Sequence, residues 1–219
     1  MTTRPAATAR PATRERLLDA ADRLMWERGY EAVGIAELCA EAGAPKGSFY
    51  HWWPSKAALA EAMLERAWAR VRTTLFQPTF GGEGPFAARL EGYTERLAAS
   101  HWLVANQGEG VRGCRFGNFA TELSTRDPVI RARIAAVFDE MVAIVAAAIE
   151  EARATGELGP GVEPAQAATA VIAHMEGLMV LAKAGVDPGL IDRLATDGRR
   201  LVGLDPSPPV ATRSQTQGR

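Results

Sequence analysis

Ile35–Trp53 reads IAELCAEAGAPKGSFYHWW, and the rest of the chain is best understood outward from it. Ile35, Leu38, Cys39 and Ala42 fall at the spacing of one helix face, which predicts a short helix over Ile35–Ala42. Gly43 stops it in a left-handed conformation that glycine adopts at little cost, and Ala44 fits the crowded corner that follows. Pro45 is tolerated in the first turn of a helix, so Lys46–Trp52 reads as a second short helix, closed by Pro54. Tyr50, His51, Trp52 and Trp53 are consecutive, and four consecutive side chains cannot all face inward on one helix. Phe49 and Trp53, four apart, make the inward side and can pack on Leu17, Leu38 and Leu59. A short helix, a glycine corner and a second helix with an outward polar and aromatic face form a helix-turn-helix, whose second helix enters the DNA major groove. Lys46, Ser48, Tyr50 and His51 are its candidate DNA contacts. The free amides of Lys46 and Gly47 at the helix start suit a phosphate, and Lys56, just inside the next helix, adds another phosphate contact.

Upstream, Leu17, Leu18, Ala21, Leu24 and Met25 recur at helical spacing, with Thr13 as the expected N-cap, Arg16 where an acid is usual, and Gly29 as the stop. Residues 1–12 have no apolar period and read as a flexible arm. The arm is basic: Arg4, Arg10, Arg14 and Arg16 face one acid, Glu15, within the first sixteen residues. Of 25 basic residues only Lys46, Lys56 and Lys183 are lysines, and two of them flank Ser48–Trp53. Downstream, Ser55 caps a long helix through about Thr74, and Gln77–Pro85 (QPTFGGEGP) reads as a loop and a boundary. Helices are then expected over Phe86–Gln107, Phe116–Leu123, Val129–Thr155, Glu163–Ala184 and Pro188–Val202. Glu163–Ala184 is apolar nearly all round, which predicts burial on nearly all sides. No stretch alternates as a strand does, so the expected fold is all-α. Its parts are an arm over 1–12, a three-helix DNA-binding domain over 13–60, a larger helical ligand-binding and dimerisation domain over 61–204, and a disordered tail over 205–219.

The bulk chemistry narrows the class of protein. The chain has 219 residues, 47% hydrophobic and 23% charged, which is globular composition. The longest apolar stretch, near Val142–Ile149, falls short of the roughly 20 residues a bilayer requires, and no signal peptide opens the chain. A net charge of −1 does not argue against nucleic acid, because the local distribution of charge decides. Cys39 and Cys114 have no paired spacing, and the three histidines are scattered, so neither a disulfide framework nor a metal site is expected. A cytoplasmic location follows, with no membrane partner and no cofactor.

The run from Thr13 to Leu59 resembles the DNA-binding domain of the TetR family of transcriptional regulators. Gly29-Tyr30, Ala42-Gly43, Lys46–Trp53 and Ser55–Leu59 carry the likeness together, over about a quarter of the chain. The resemblance implies a two-domain, all-α homodimer that binds a palindromic operator in double-stranded DNA and releases it when a small molecule enters the C-terminal domain. By position it assigns DNA contact to Lys46, Gly47, Ser48, Tyr50, His51 and Lys56. This chain departs from the family in having Val33-Gly34 where hydroxyl residues are usual, and Pro45 where a serine is usual. Backbone amides or Arg14 then take over phosphate contact.

Gly113-Cys114, Gly117-Asn118 and Glu122 are similar to a pattern in one subgroup of that family, where the helix they open lies beside the ligand pocket. Asn118 and Glu122 are four apart and share a face, as a ligand-orienting pair or as caps for nearby backbone. Trp68, Tyr93, Trp102, Phe119, Met141, His174 and Met175 complete the candidate pocket lining, with ordinary core as the alternative for most of them. Cys114, between Arg112 and Arg115 near a helix start, is a candidate sensor thiol for oxidants or electrophiles. No nucleophile, base and orienting group can be assembled from the motifs, so an enzyme is not expected. The two last helices are the candidate dimerisation surface.

Overall fold

In the computed structural model, residues 12–104 and 111–204 are described, apart from the side chains of 101–104 and 188. The arm over 1–11, the expected helix end at Gln107, the Trp102 side chain and the tail from 205 lie outside them. The described residues hold helices and no strands: α1 Thr13–Arg28, α2 Ile35–Glu41, α3 Lys46–Trp52, α4 Lys56–Val71, α5 Gln77–Phe80, α6 Phe86–Val104, α7 Arg115–Leu123, α8 Pro128–Ala154, α9 Pro164–Lys183 and α10 Leu194–Leu201. They divide into two compact units, one of residues 12–70 and 115–137, the other of 71–104, 111–114 and 138–204.

The first unit holds α1 to α4, α7 and the start of α8. Leu17, Leu18 and Met25 of α1, Leu38 and Cys39 of α2, Phe49 of α3, Leu59, Met63 and Trp68 of α4, and Phe116 and Phe119 of α7 are all buried. Thr13 is not the cap of α1 that its sequence suggests. It is the first helical residue, after Ala12, and its hydroxyl accepts from the Arg16 guanidinium at 3.3 Å. Arg16 Nε also donates to the Ala42 carbonyl at 2.8 Å, which ties α1 to the end of α2. α2 ends as its glycine requires. Gly43 has φ +57°, its amide donates to Ala40, and the Ala44 amide donates back to Cys39 at 2.8 Å. These are the two crossing bonds of a Schellman turn, which satisfy carbonyls the helix end would leave unpaired.

The second unit is built on aromatic packing. Phe80 lies 6.1 Å from Phe76, 5.0 Å from Tyr93 and 6.1 Å from Phe86, ring centre to ring centre. This cluster corrects the reading of Gln77–Pro85 as a loop. The helix that begins at Lys56 continues through a π-helical turn at Arg72–Phe76 into α5, and only 81–85 leaves the helix. Pro78 has no N–H to donate and its ring crowds the preceding turn, which the wider π turn accommodates, while burial of Phe76 and Phe80 holds the segment helical. The final amphipathic helix is also corrected: Pro188–Arg193 winds as a 3₁₀ helix, capped by the Asp187 carboxylate on the Gly189 amide, before α10 begins. Glu157 caps the start of α6 in the same way, accepting from the amides of Phe86 and Ala87 at 2.7 and 3.0 Å.

α9 is long and apolar enough by composition to cross a bilayer. It buries one face, through Ala168, Val171, Ile172, Met175 and Met179. The other face, with Ala165, Thr169, Ala173, Gly177, Val180 and Leu181, is exposed in the single chain, so the expected burial on nearly all sides is not what one chain provides.

Candidate nucleic-acid interface

α3 sorts its residues as a reading helix must. Phe49 is 0% exposed and packs edge-on against Tyr50 at 5.2 Å and tilted against Trp53 at 6.1 Å. Tyr50 is 55% exposed and Trp52 47%, and Lys46, Gly47 and His51 are exposed beside them, with Ser48 half-buried. Large apolar rings in water are costly, and their appearance on one short helix is the mark of a contact surface. Pro45 precedes the helix with extended backbone and caps nothing by its side chain, so the first amides of α3 have no side-chain cap.

The other nominated contacts are engaged within the protein. Arg14 pairs with Glu15 at 2.9 Å and lies over the Trp53 ring at 5.7 Å. The Lys56 ammonium donates to the carbonyls of Tyr30 at 3.0 Å and Val33 at 3.1 Å, and sits 4.0 Å from the centre of the Tyr30 ring. It therefore clamps the turn between α1 and α2, and one of its three protons remains for a phosphate.

The nominated pocket residues divide between the two units. Trp68, Asn118, Phe119 and Glu122 belong to the unit with α3, whereas Tyr93, Met141, His174 and Met175 belong to the other. Trp68 packs edge-on against Phe116 at 6.2 Å and is core. Asn118 is half-buried on α7. The Glu122 carboxylate accepts from the amides of Tyr30 at 2.9 Å and Glu31 at 2.8 Å, which is the backbone-capping role. His174 faces Asp197 at 3.2 Å, and Met141 is buried.

In the second unit Tyr93 is buried and its hydroxyl donates to the Met175 sulfur at 2.6 Å. Beside it, the half-buried Cys114 thiol donates to the Glu176 carboxylate. Arg115, expected to charge the thiol's surroundings, turns instead to pair with Asp22 and stacks 4.4 Å over the Trp26 ring. Burial lowers the Arg115 pKa to about 10. Glu176 was not legible as a site residue. One of its oxygens is buried without a partner, and burial pushes its carboxyl above the ordinary carboxylate value of 4.5, an effect that the Cys114 thiol only partly offsets. Between those two values the folded chain holds a proton that the unfolded chain has released. Stability from this group is thus fully present at low pH and falls as pH rises through that window. Glu176→Gln is expected to raise Tm by a few degrees at pH 8, a gain that shrinks as the pH falls toward 4.5 and is gone below it. Thermal unfolding followed across that range checks this, and a gain independent of pH would show that ionisation is not the cause.

Comparison with known proteins fits this geometry. Residues 17–63 match the family described as bacterial regulatory proteins, tetR family, and residues 89–197 match the tetracyclin repressor-like C-terminal domain. The chain is 31% identical to the HTH-type transcriptional repressor NemR of Escherichia coli over 174 residues, covering 78% of this chain and 84% of that protein. It is 32% identical to the transcriptional regulator AcuR of Cereibacter sphaeroides over 177 residues, covering 80% and 79%. The crystal structure of reduced E. coli NemR superposes with a TM-score of 0.77 at 28% identity, covering 90% of this chain and 99% of that one.

Proposed function

The chain belongs to the TetR family of bacterial regulatory proteins, and on that premise we propose that it is a dimeric repressor that holds a palindromic operator until a small molecule releases it. The observation that carries this reading is α3, which buries Phe49 while leaving Lys46, Tyr50, His51 and Trp52 in solvent. Gly47, Ser48, Tyr50 and His51 face the major groove, with Lys46, Arg14 and the third proton of Lys56 on phosphates. NemR, named as a repressor, supports the direction of control.

Residues 13–60 form the DNA-binding domain and 61–204 the effector and dimerisation domain. The buried Tyr93 and Met175, which touch, and the unpartnered oxygen of the neighbouring Glu176 are where we place the small molecule, apolar groups beside one polar anchor. The bare apolar face of α9 supplies a dimer surface, and a two-fold dimer explains why the operator is two-fold symmetric.

The test is selection of bound duplexes from a random DNA library by the full-length protein, followed by a challenge of the complex with a small-molecule library. Two-fold symmetric sites are expected. Recovery of no preferred sequence sinks the reading. In the selected complex Lys46→Ala is expected to flatten the dependence of log affinity on log salt by about 2, one phosphate contact for each protomer. Affinities measured from low to physiological salt check this, and an unchanged slope would remove Lys46 from the phosphate contacts.

A further inference from the structure

We propose that Glu122 is a positioning residue for operator binding: its carboxylate pins the turn from which the recognition helix hangs and so sets the half-site spacing the protein accepts. The inference rests on the DNA-binding reading above. From α1 the chain reaches α2 and α3 through the turn at Gly29–Gly34. That turn is gripped from both sides. Its Tyr30 and Glu31 amides donate to the two oxygens of Glu122 on α7, and its Tyr30 and Val33 carbonyls accept from Lys56 on α4. An anion therefore holds the turn's donors and a cation its acceptors, each through charge-assisted hydrogen bonds.

The fit is close. Gly29 has φ +88°, and a Cβ added there would stand 3.1 and 3.3 Å from the Glu122 oxygens, so the carboxylate lies flush against the glycine. The Tyr30 ring is held between the Lys56 ammonium and the edge of Phe119, 6.2 Å away on α7. α7 is itself fastened to α1 by Arg115, which pairs with Asp22 and stacks on Trp26. The turn after α7 adds Arg126 opposite Glu31 at 3.6 Å. α7 is thus anchored on α1 at one end and holds the turn at the other.

A carboxylate suits this place because it offers two acceptors and no donor. A glutamine keeps the shape, but turns an amide N–H₂ toward one of the backbone amides. With the clasp gone, the turn and the helices packed around it are held less firmly on α7, and a dimer whose recognition helices must meet grooves roughly 34–36 Å apart loses its preference for one spacing.

The experiment uses the full-length protein and the operator selected by the wild type, remade with one base pair added or removed at its centre. Glu122→Gln is expected to shrink the ratio of affinities between correct and altered spacing about tenfold. Amide exchange at Tyr30 and Glu31 is expected to accelerate in the same variant, and Glu122→Ala repeats both results. An unchanged spacing ratio in a folded variant overturns the proposal, even where overall affinity or Tm falls. Failure of both variants to fold also overturns it, because Glu122 is then a stability residue alone. A wild type that selects no site sinks the DNA-binding reading, whereas unaltered amide exchange in the variant removes the clasp by itself.

Discussion

Tyr50→Ala is expected to weaken operator binding on the order of 100-fold, roughly 2.7 kcal/mol, while leaving the protein as stable as the wild type. The first half follows from position: the ring is 55% exposed on the helix proposed to face DNA, and a two-fold dimer loses the contact twice. The second half follows from burial, since removal of an exposed side chain away from caps and networks shifts stability by about 0.5 kcal/mol or less. Tyr50 does touch Phe49 edge-on at 5.2 Å, but Phe49 is already fully covered by its own unit. Operator titration and thermal unfolding on the same sample check both halves. A fall in Tm of more than a few degrees would mean that Tyr50 is core, and full affinity would mean that α3 does not read DNA through it.

Its neighbour is expected to behave in the opposite way. Phe49→Ala removes a ring that is 0% exposed and lies against Trp53 at 6.1 Å. Phenylalanine truncations at such sites cost about 3–5 kcal/mol, from lost transfer energy and from the cavity left behind. For a chain of this size that lowers Tm by roughly 10 °C. DNA binding is expected to fail near the lowered transition and to recover when measured well below it, because the reading residues themselves are intact. Binding lost at every temperature with an unchanged Tm would place Phe49 on the DNA side. The two substitutions, one residue apart, separate the face that builds the domain from the face that uses it.

How much of this was legible beforehand depended on distance along the chain. Gly43, the boundaries of α2 and α3, and the division of Phe49 from Tyr50 are written in local spacing, and the structure agrees with them. Pro78 misled for a local reason as well. A proline followed three residues on by two glycines is an ordinary breaker, and the burial of Phe76 and Phe80 around Tyr93 keeps the segment helical. The work of Glu122 and Lys56 was hidden because their partners lie about 91 and 26 residues away and are backbone atoms, which carry no sequence signal. The spacing of Asn118 and Glu122 put them on one face, yet nothing in that spacing tells a ligand from a turn. Arg115 was similar: adjacency to Cys114 suggested a charged thiol, while the fold sends the guanidinium to Asp22.

The uncovered side of α9 has a consequence for the amount of protein a cell must keep. In the proposed dimer Ala165, Thr169, Ala173, Gly177, Val180 and Leu181, exposed in the single chain, are covered by association, and folding and assembly are then linked by mass action. The midpoint of unfolding then rises with protein concentration, and the dilute protomer is the species most open to proteolysis. A regulator present in few copies gains lifetime as its copies pair. Its abundance and its durability are thereby set by the same equilibrium.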